Sequence, residues 1–184
     1  MIIIGIDPGT RHTGLAVIDY NVGSTPSILF LDTIEFAEVC DSIFLAAETY
    51  SAVKLVQHKF SPDLIAIEDF VFQGRITTYN ALHVHRIIGA LSVLWLTCPV
   101  VLYAAADWKH DLAGLPRPRQ KHLTPTTSKS MLDTRVRQAV ELRCEHVFRG
   151  KSEQHCIDAA GVALVAGDRV VVENREEKGK KYVN

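Results

Sequence analysis

Residues 2–20, IIIGIDPGTRHTGLAVIDY, decide how the rest of the chain is read. Ile2 to Asp7 is β-branched apart from Gly5 and its terminal acid, the composition of a strand buried on both faces, and it leaves Asp7 at the strand's C-terminal end. Asp7-Pro8-Gly9-Thr10 is turn chemistry, and Thr13 to Tyr20 resumes the apolar run, so the stretch predicts a hairpin.

Working outward, a turn at Asn21 to Pro26 leads into a third strand over Ser27 to Ile34. Residues 40–60 carry Ile43, Phe44, Ala47, Tyr50, Val53 and Val56 at helical spacing, and Ser61-Pro62 ends that helix. Asp63 to Phe70 reads as a buried fourth strand that delivers Glu68 and Asp69 to its edge, as the first strand delivers Asp7. A loop through Gln73-Gly74-Arg75 precedes a helix over Thr78 to Leu96, and Pro99 to Ala104 is a fifth strand. From Asp107 the pattern loosens, and Leu115 to Thr126, interrupted by prolines and basic, reads as a surface loop. Helices follow over Ser128 to Arg143 and Ser152 to Ala166, the latter opened by Ser152-Glu153-Gln154-His155 and stopped at Gly167-Asp168. Glu173 to Lys181 is a mixed charge run expected to fray. The expected organisation is one domain over 1–168 and a charged tail over 169–184.

The composition agrees with one domain: 184 residues, 47% hydrophobic and 22% charged, exclude a disordered or collagen-like chain. A net charge of -1 gives no whole-chain signature for nucleic acid, but the average hides segregation. Residues 1–106 hold 5 Lys/Arg against 10 Asp/Glu, whereas residues 107–151 hold 10 against 5. That division suits a cation-collecting site beside an anion-collecting surface, or else ordinary solvated helix faces. Cys40, Cys98, Cys144 and Cys156 form no CxxC pair and read as reduced thiols of a cytoplasmic protein. The MIIIGID start lacks a basic leader region, and Ile87 to Val101 is too interrupted to span a bilayer, so no membrane association is expected.

Four polar groups fall where these elements would aim them at a common point: Asp7, Glu68, and His155 with Asp158, the last two sharing a helical face at i,i+3. Carboxylates plus an imidazole from separated segments are ligands that divalent cations accept. Two ions about 4 Å apart would serve in-line phosphodiester hydrolysis. Taken singly, a strand-end aspartate is commonly a turn former, and a lone histidine is commonly a surface or satisfied core residue. Glu68 is the stronger signal, because a carboxylate following Leu64, Ile65, Ala66 and Ile67 lies near burial and needs a partner. Strand alternation turns Asp69 to the opposite face and leaves it outside the ligand set.

The segments IIGIDPGTRHTGLAVID (3–19), LIAIEDFVF (64–72) and HCIDAAGVALVA (155–166) resemble, in order and spacing, the signature regions of the RuvC family of Holliday junction resolvases, within the RNase H-like superfamily. The resemblance implies an α/β fold with a five-stranded mixed sheet in the order 3-2-1-4-5 and helices on both faces. It also implies a homodimer and Mg²⁺- or Mn²⁺-dependent incision of four-way DNA junctions, with two ions per active site. Asp7, Glu68 and Asp158 match the family's metal-binding carboxylates. His155 falls where members carry aspartate or histidine, and could bind metal or orient the attacking water. Lys109 and Lys129 are similar to basic residues that hold DNA near the metals. The family often stacks an aromatic side chain on bases at the branch point. Here Phe72, then Phe70, is the candidate wedge, unless either packs in the core.

Arg75 and the Arg117-Arg119-Lys121 loop complete the expected phosphate contacts. The helix around Val84 to Trp95, apolar on more than one side, matches the family's subunit-pairing segment, though an ordinary core helix would read the same way. Two rivals stand beside a resolvase. One is a nuclease of the same fold acting on flaps, forks or RNA. The other is an ATP-binding protein whose phosphate loop resembles Gly5-Ile6-Asp7-Pro8-Gly9-Thr10, and 184 residues without a second copy of that motif speak against it.

Overall fold

The computed structural model describes residues 1–36, 41–70, 78–115, 129–149 and 153–180, with the backbone alone described at 78–80 and 174–180. Strands β1 (Ile2–Asp7), β2 (His12–Asp19), β3 (Ser27–Glu35), β4 (Leu64–Asp69) and β5 (Val100–Ala104) form one sheet in the order β3-β2-β1-β4-β5. β1–β2 and β2–β3 are antiparallel, while β4 lies parallel to β1 and β5 parallel to β4. This is the mixed sheet and the order that the resemblance implied.

β1 is apolar up to Asp7 because its alternate residues feed two cores. Ile4 and Ile6, with Leu15, Val17, Ile65 and Ile67, pack beneath α1 (Ser42–Phe60) and α2 (Thr78–Ser92). Ile3, with Ala16, Ile18, Leu64 and Ala66, packs beneath α3 (Ala105–Leu112), α4 (Lys129–Cys144) and α5 (Gln154–Lys180). By the same alternation Asp7 and Glu68 belong to the α5 face and Asp69 to the other.

α1 is capped by the Asp41 carboxylate, which accepts from the Ile43 amide, and ends where Ser61 takes a left-handed φ of 46°. α2 stops earlier than the expected Leu96. Its last turn, Val93–Leu96, tightens to a 3-10 helix, and the Thr97 and Cys98 amides both return to the Leu94 carbonyl just ahead of Pro99.

The placement of α5 depends on two strand glycines. A Cβ on Gly5 would stand 1.9 Å from the Ala159 carbonyl oxygen, and one on Gly14 would stand 2.0 Å from that of His155. With neither present, the first turns of α5 rest on the β1–β2 backbone. The helix then passes Gly167-Asp168, expected to stop it, and runs on to Lys180. Gly167 makes room for a ring instead, since a Cβ there would lie 2.5 Å from Tyr20. Asp168 accepts from the Tyr20 hydroxyl at 2.5 Å and from both terminal nitrogens of Arg143 at 2.8 Å. Arg169 binds Asp111 at 2.9 Å and lies over the Tyr103 ring. The stretch expected to fray is therefore helical through 180, and α5 crosses the boundary drawn at 168 without a break.

A second correction concerns the loosening expected from Asp107. That stretch lies in α3, whose Trp108 is fully buried and whose Trp108 and Leu112, four residues apart, pack on the α5 side. Residues 116–128, which hold most of the expected surface loop, and Ser152, the expected helix opener, lie outside the described residues. Among the described residues Cys98, Cys144 and Cys156 are free and buried, and no helix is long and apolar enough to cross a membrane.

Candidate active site

Asp7 closes β1 and Glu68 comes one residue before the end of β4. The strands are parallel neighbours with Ile6 opposite Ile67, so the two acids are the next residues along one sheet edge. Gly14, opposite Asp7 on β2, receives the His155 carbonyl, which brings the start of α5 over the same edge. The His155 Nδ1 lies 2.6 Å from the Asp7 Oδ2, and the His12 ring stacks on His155 with 5.5 Å between centroids.

One turn along α5, Asp158 accepts from the Lys109 Nζ at 2.6 Å and from the Gln154 Nε2 at 3.0 Å. The same ammonium lies 4.0 Å from the Glu68 Oε2 and 4.0 Å from the Asp133 Oδ1 of α4. The Trp108 Nε1 donates to the Glu68 Oε2 at 3.1 Å. Lys109 thus stands among carboxylates from three elements.

Burial and the neighbouring Asp7 push the Glu68 carboxyl up to about 8, against the pull of Lys109. Burial raises Asp158 as well, with Lys109 opposing it. Burial works against the Lys109 ammonium, but Glu68 and Asp158 outweigh it and push the group up to about 12. His155 is raised chiefly by its hydrogen bond to Asp7. One ammonium therefore offsets only part of the mutual repulsion of Asp7, Glu68 and Asp158.

Asp7 meets His155 directly, while Asp158 and Glu68 meet at Lys109. Among the described residues no three His, Cys, Asp or Glu side chains are gathered tightly enough to hold a metal ion as they stand. The chemistry of the set nevertheless fits a divalent cation. It offers hard carboxylate oxygens and one imidazole, and its excess negative charge is what a cation relieves.

Asp69 is partly buried at the edge of the opposite face, and Phe70 packs against the α1–α2 core, edge-on to His85 at 5.9 Å. Lys129 is exposed at the start of α4. Arg75, Phe72, Arg117, Arg119 and Lys121 lie outside the described residues. Sequence reasoning missed Trp108 and Gln154, and for His12, in the first turn, it weighed a place beside the scissile phosphate evenly against simple turn solvation. For Trp108 the available signal was its i,i+4 pairing with Leu112 beside a charged residue, a short buried stripe inside a polar run.

A model of the family described as crossover junction endodeoxyribonuclease RuvC matches residues 3–141, a stretch that includes Asp7, Glu68 and Lys109 and ends before α5. A crossover junction endodeoxyribonuclease RuvC from Bartonella tribocorum is 31% identical over 113 residues, covering 61% of this chain and 66% of that relative's length. A RuvC from Moorella thermoacetica is 26% identical over 117 residues, covering 64% of this chain and 70% of that relative. Among solved structures, Thermus thermophilus RuvC in complex with Holliday junction substrate has a TM-score of 0.68 at 20% identity, covering 89% of this chain and 91% of that one.

Proposed function

The chain belongs to the RuvC family of crossover junction endodeoxyribonucleases, and from that premise we propose that it is a structure-specific endonuclease that resolves four-way DNA junctions by metal-dependent phosphodiester hydrolysis. The observation that carries the reading is the gathering of Asp7, Glu68, His155 and Asp158 around Lys109 at one sheet edge, in a chain that matches the family through the first two motifs. The phosphate-loop reading has no comparable support.

The family is metal-dependent. Here Asp7, Glu68, Asp158 and His155 are the groups that would hold Mg²⁺ or Mn²⁺, two ions per site. When bound, the metal supplies charge stabilisation at the attacked phosphate and a more acidic attacking water.

The protein's own groups prepare the rest. The Asp7 carboxylate is the hydrogen-bond acceptor for the His155 Nδ1, and with the ring neutral the Nε2 lone pair would be available to metal or to a proton of the attacking water. Lys109 holds Asp158, and its ammonium is within reach of a phosphate oxygen brought to the same edge, where it balances charge developing in the transition state. Hydrolysis leaves a 5′-phosphate and a 3′-hydroxyl.

A four-way junction has two-fold character, and a two-fold dimer places one site on each of two strands. Leu82 of α2 is 48% exposed, and Ile43 and Phe44 stand exposed at the start of α1, which Arg86 ties to α2 by donating to the Ser42 hydroxyl. These side chains form the surface a second copy would cover. Lys129 and the basic residues of 107–151 would meet phosphate.

The test is cleavage of a labelled four-way junction beside a matched duplex, a flap and a hairpin RNA, with Mg²⁺, Mn²⁺ or EDTA. Paired symmetric nicks confined to the junction and lost with EDTA are expected, and Asp7→Asn should abolish them while junction binding persists. Equal cleavage of flap or RNA would keep the metal chemistry and replace the substrate.

A further inference from the structure

We propose that Trp108 is a positioning residue: its indole N–H fixes the Glu68 carboxylate so that one oxygen is held by the protein and the other is presented to the divalent cation. The proposal rests on the reading of Glu68 as a metal ligand and adds the device that orients it.

Trp108 is fully buried and touches three parts of the site. A buried indole N–H needs an acceptor, and Trp108 finds it in the Glu68 Oε2 at 3.1 Å. A glutamate side chain has several rotatable bonds, and a hydrogen bond to one carboxylate oxygen removes most of that freedom while leaving the lone pairs of the other, Oε1, unspent. The ring face lies under the Lys109 ammonium, with 5.1 Å from Nζ to the centroid, so the same side chain steadies the cation that holds Asp158. The far edge of the ring fits against Gly161 of α5, where a Cβ would stand 2.5 Å from Cζ3 and 3.0 Å from Cη2.

Gly161 is three residues beyond Asp158 on the same helix. The indole thus spans from the carboxylate of β4 to the backbone of the helix that carries Asp158 and His155, and sets their separation. A smaller aliphatic residue at 108 would fill some of the space and supply no donor. Partners of this kind, behind a metal ligand, typically account for about 10–100-fold in metal affinity.

The experiment measures Mn²⁺ and Ca²⁺ binding to the full chain without DNA, by calorimetry, for the wild type, Trp108→Phe and Glu68→Gln. Phenylalanine keeps an aromatic ring in the socket and removes the N–H. The expected result for Trp108→Phe is a dissociation constant raised about 10-fold, with cleavage that falls at low Mn²⁺ and recovers at saturating Mn²⁺. A purely structural role would lower the melting temperature and leave the metal midpoint in place, and that result overturns the proposal.

Glu68→Gln separates the two readings. If Glu68→Gln weakens metal binding and Trp108→Phe does not, the Trp108 proposal alone falls. If neither moves the midpoint, Glu68 is not a ligand and both fall. Should Trp108→Phe fail to fold, a Trp95→Phe variant makes Trp108 the sole tryptophan of a chain that has two, with the exposed one removed. Its emission should then change with Ca²⁺ at the calorimetric midpoint, and emission unaltered at saturating Ca²⁺ overturns the proposal.

Discussion

Glu68 is the residue through which the site reports its own charge balance. Its folded-state carboxyl is raised to about 8 by burial and by Asp7, so between the ordinary carboxylate range and pH 8 the folded chain binds a proton that the unfolded chain has lost. Stability without metal should therefore fall as pH rises through that window. Glu68→Gln removes the ionising group, and its melting temperature should vary less from pH 5 to pH 8 and exceed that of the wild type at pH 8, by about 2–4 °C for each kcal/mol. Parallel wild-type and Glu68→Gln curves in a metal-free pH series would contradict the assignment. Lys109 carries the complementary prediction. Lys109→Gln leaves Glu68 and Asp158 without their ammonium and should cost about 3 kcal/mol in EDTA. Saturating Mn²⁺ should recover much of that loss in a thermal melt, because a cation then balances the same carboxylates. Both acids were legible as strand-edge and helix-face carboxylates, but the ammonium among them was not. A lysine after a strand looks the same whether it faces solvent phosphate or a buried carboxylate, and only the packing of α3 against β4 and α5 decides.

At the scale of elements, the sheet was readable because β1, β4 and β5 are short apolar runs and β2 continues from a turn. Helix ends were less readable where a residue type serves packing rather than termination. Gly167 has the chemistry of a helix stop, yet its missing Cβ is used by the Tyr20 ring, and Asp168 is used by Arg143 and Tyr20. α3 escaped notice for the opposite reason: eight residues with one buried side chain give little periodicity, and its stability comes from where Trp108 lands. The two accounts of the C-terminal stretch differ in a measurable way. If residues after 167 were a frayed tail, truncation there would leave stability unchanged. Because Asp168 joins α5 to α4 and to Tyr20 just after β2, and Arg169 joins it to α3, truncation after Gly167 should lower the melting temperature by several degrees. Asp168→Ala alone should cost about 1 kcal/mol, since the carboxylate is partly exposed and its ion pair is screened by solvent. An unshifted thermal melt for the truncated chain would refute the account.

Across the whole molecule, the division of charge follows the division of labour. The acidic first part of the chain contributes Asp7 and Glu68, and the basic segment after residue 107 contributes Lys109, which sits among the carboxylates, and Lys129, which stays exposed. A single copy built this way presents one such edge, whereas the proposed incision of a symmetric junction requires two. The apolar side chains exposed along α1 and α2 lie on the face of the sheet opposite α5, so a second copy seated there would leave both α5-side edges open to DNA. Leu82→Glu places a charge in that surface without touching Asp7, Glu68, His155 or Asp158. If two copies pair there as proposed, it should shift the sedimenting species from dimer to monomer, preserve Mn²⁺ binding, and abolish paired nicking of a four-way junction. The separation of these readouts carries the argument: a monomer that binds metal and no longer cuts in pairs locates the loss in assembly. A Leu82→Glu protein that remains dimeric and resolves junctions normally would place the subunit contact elsewhere on the molecule.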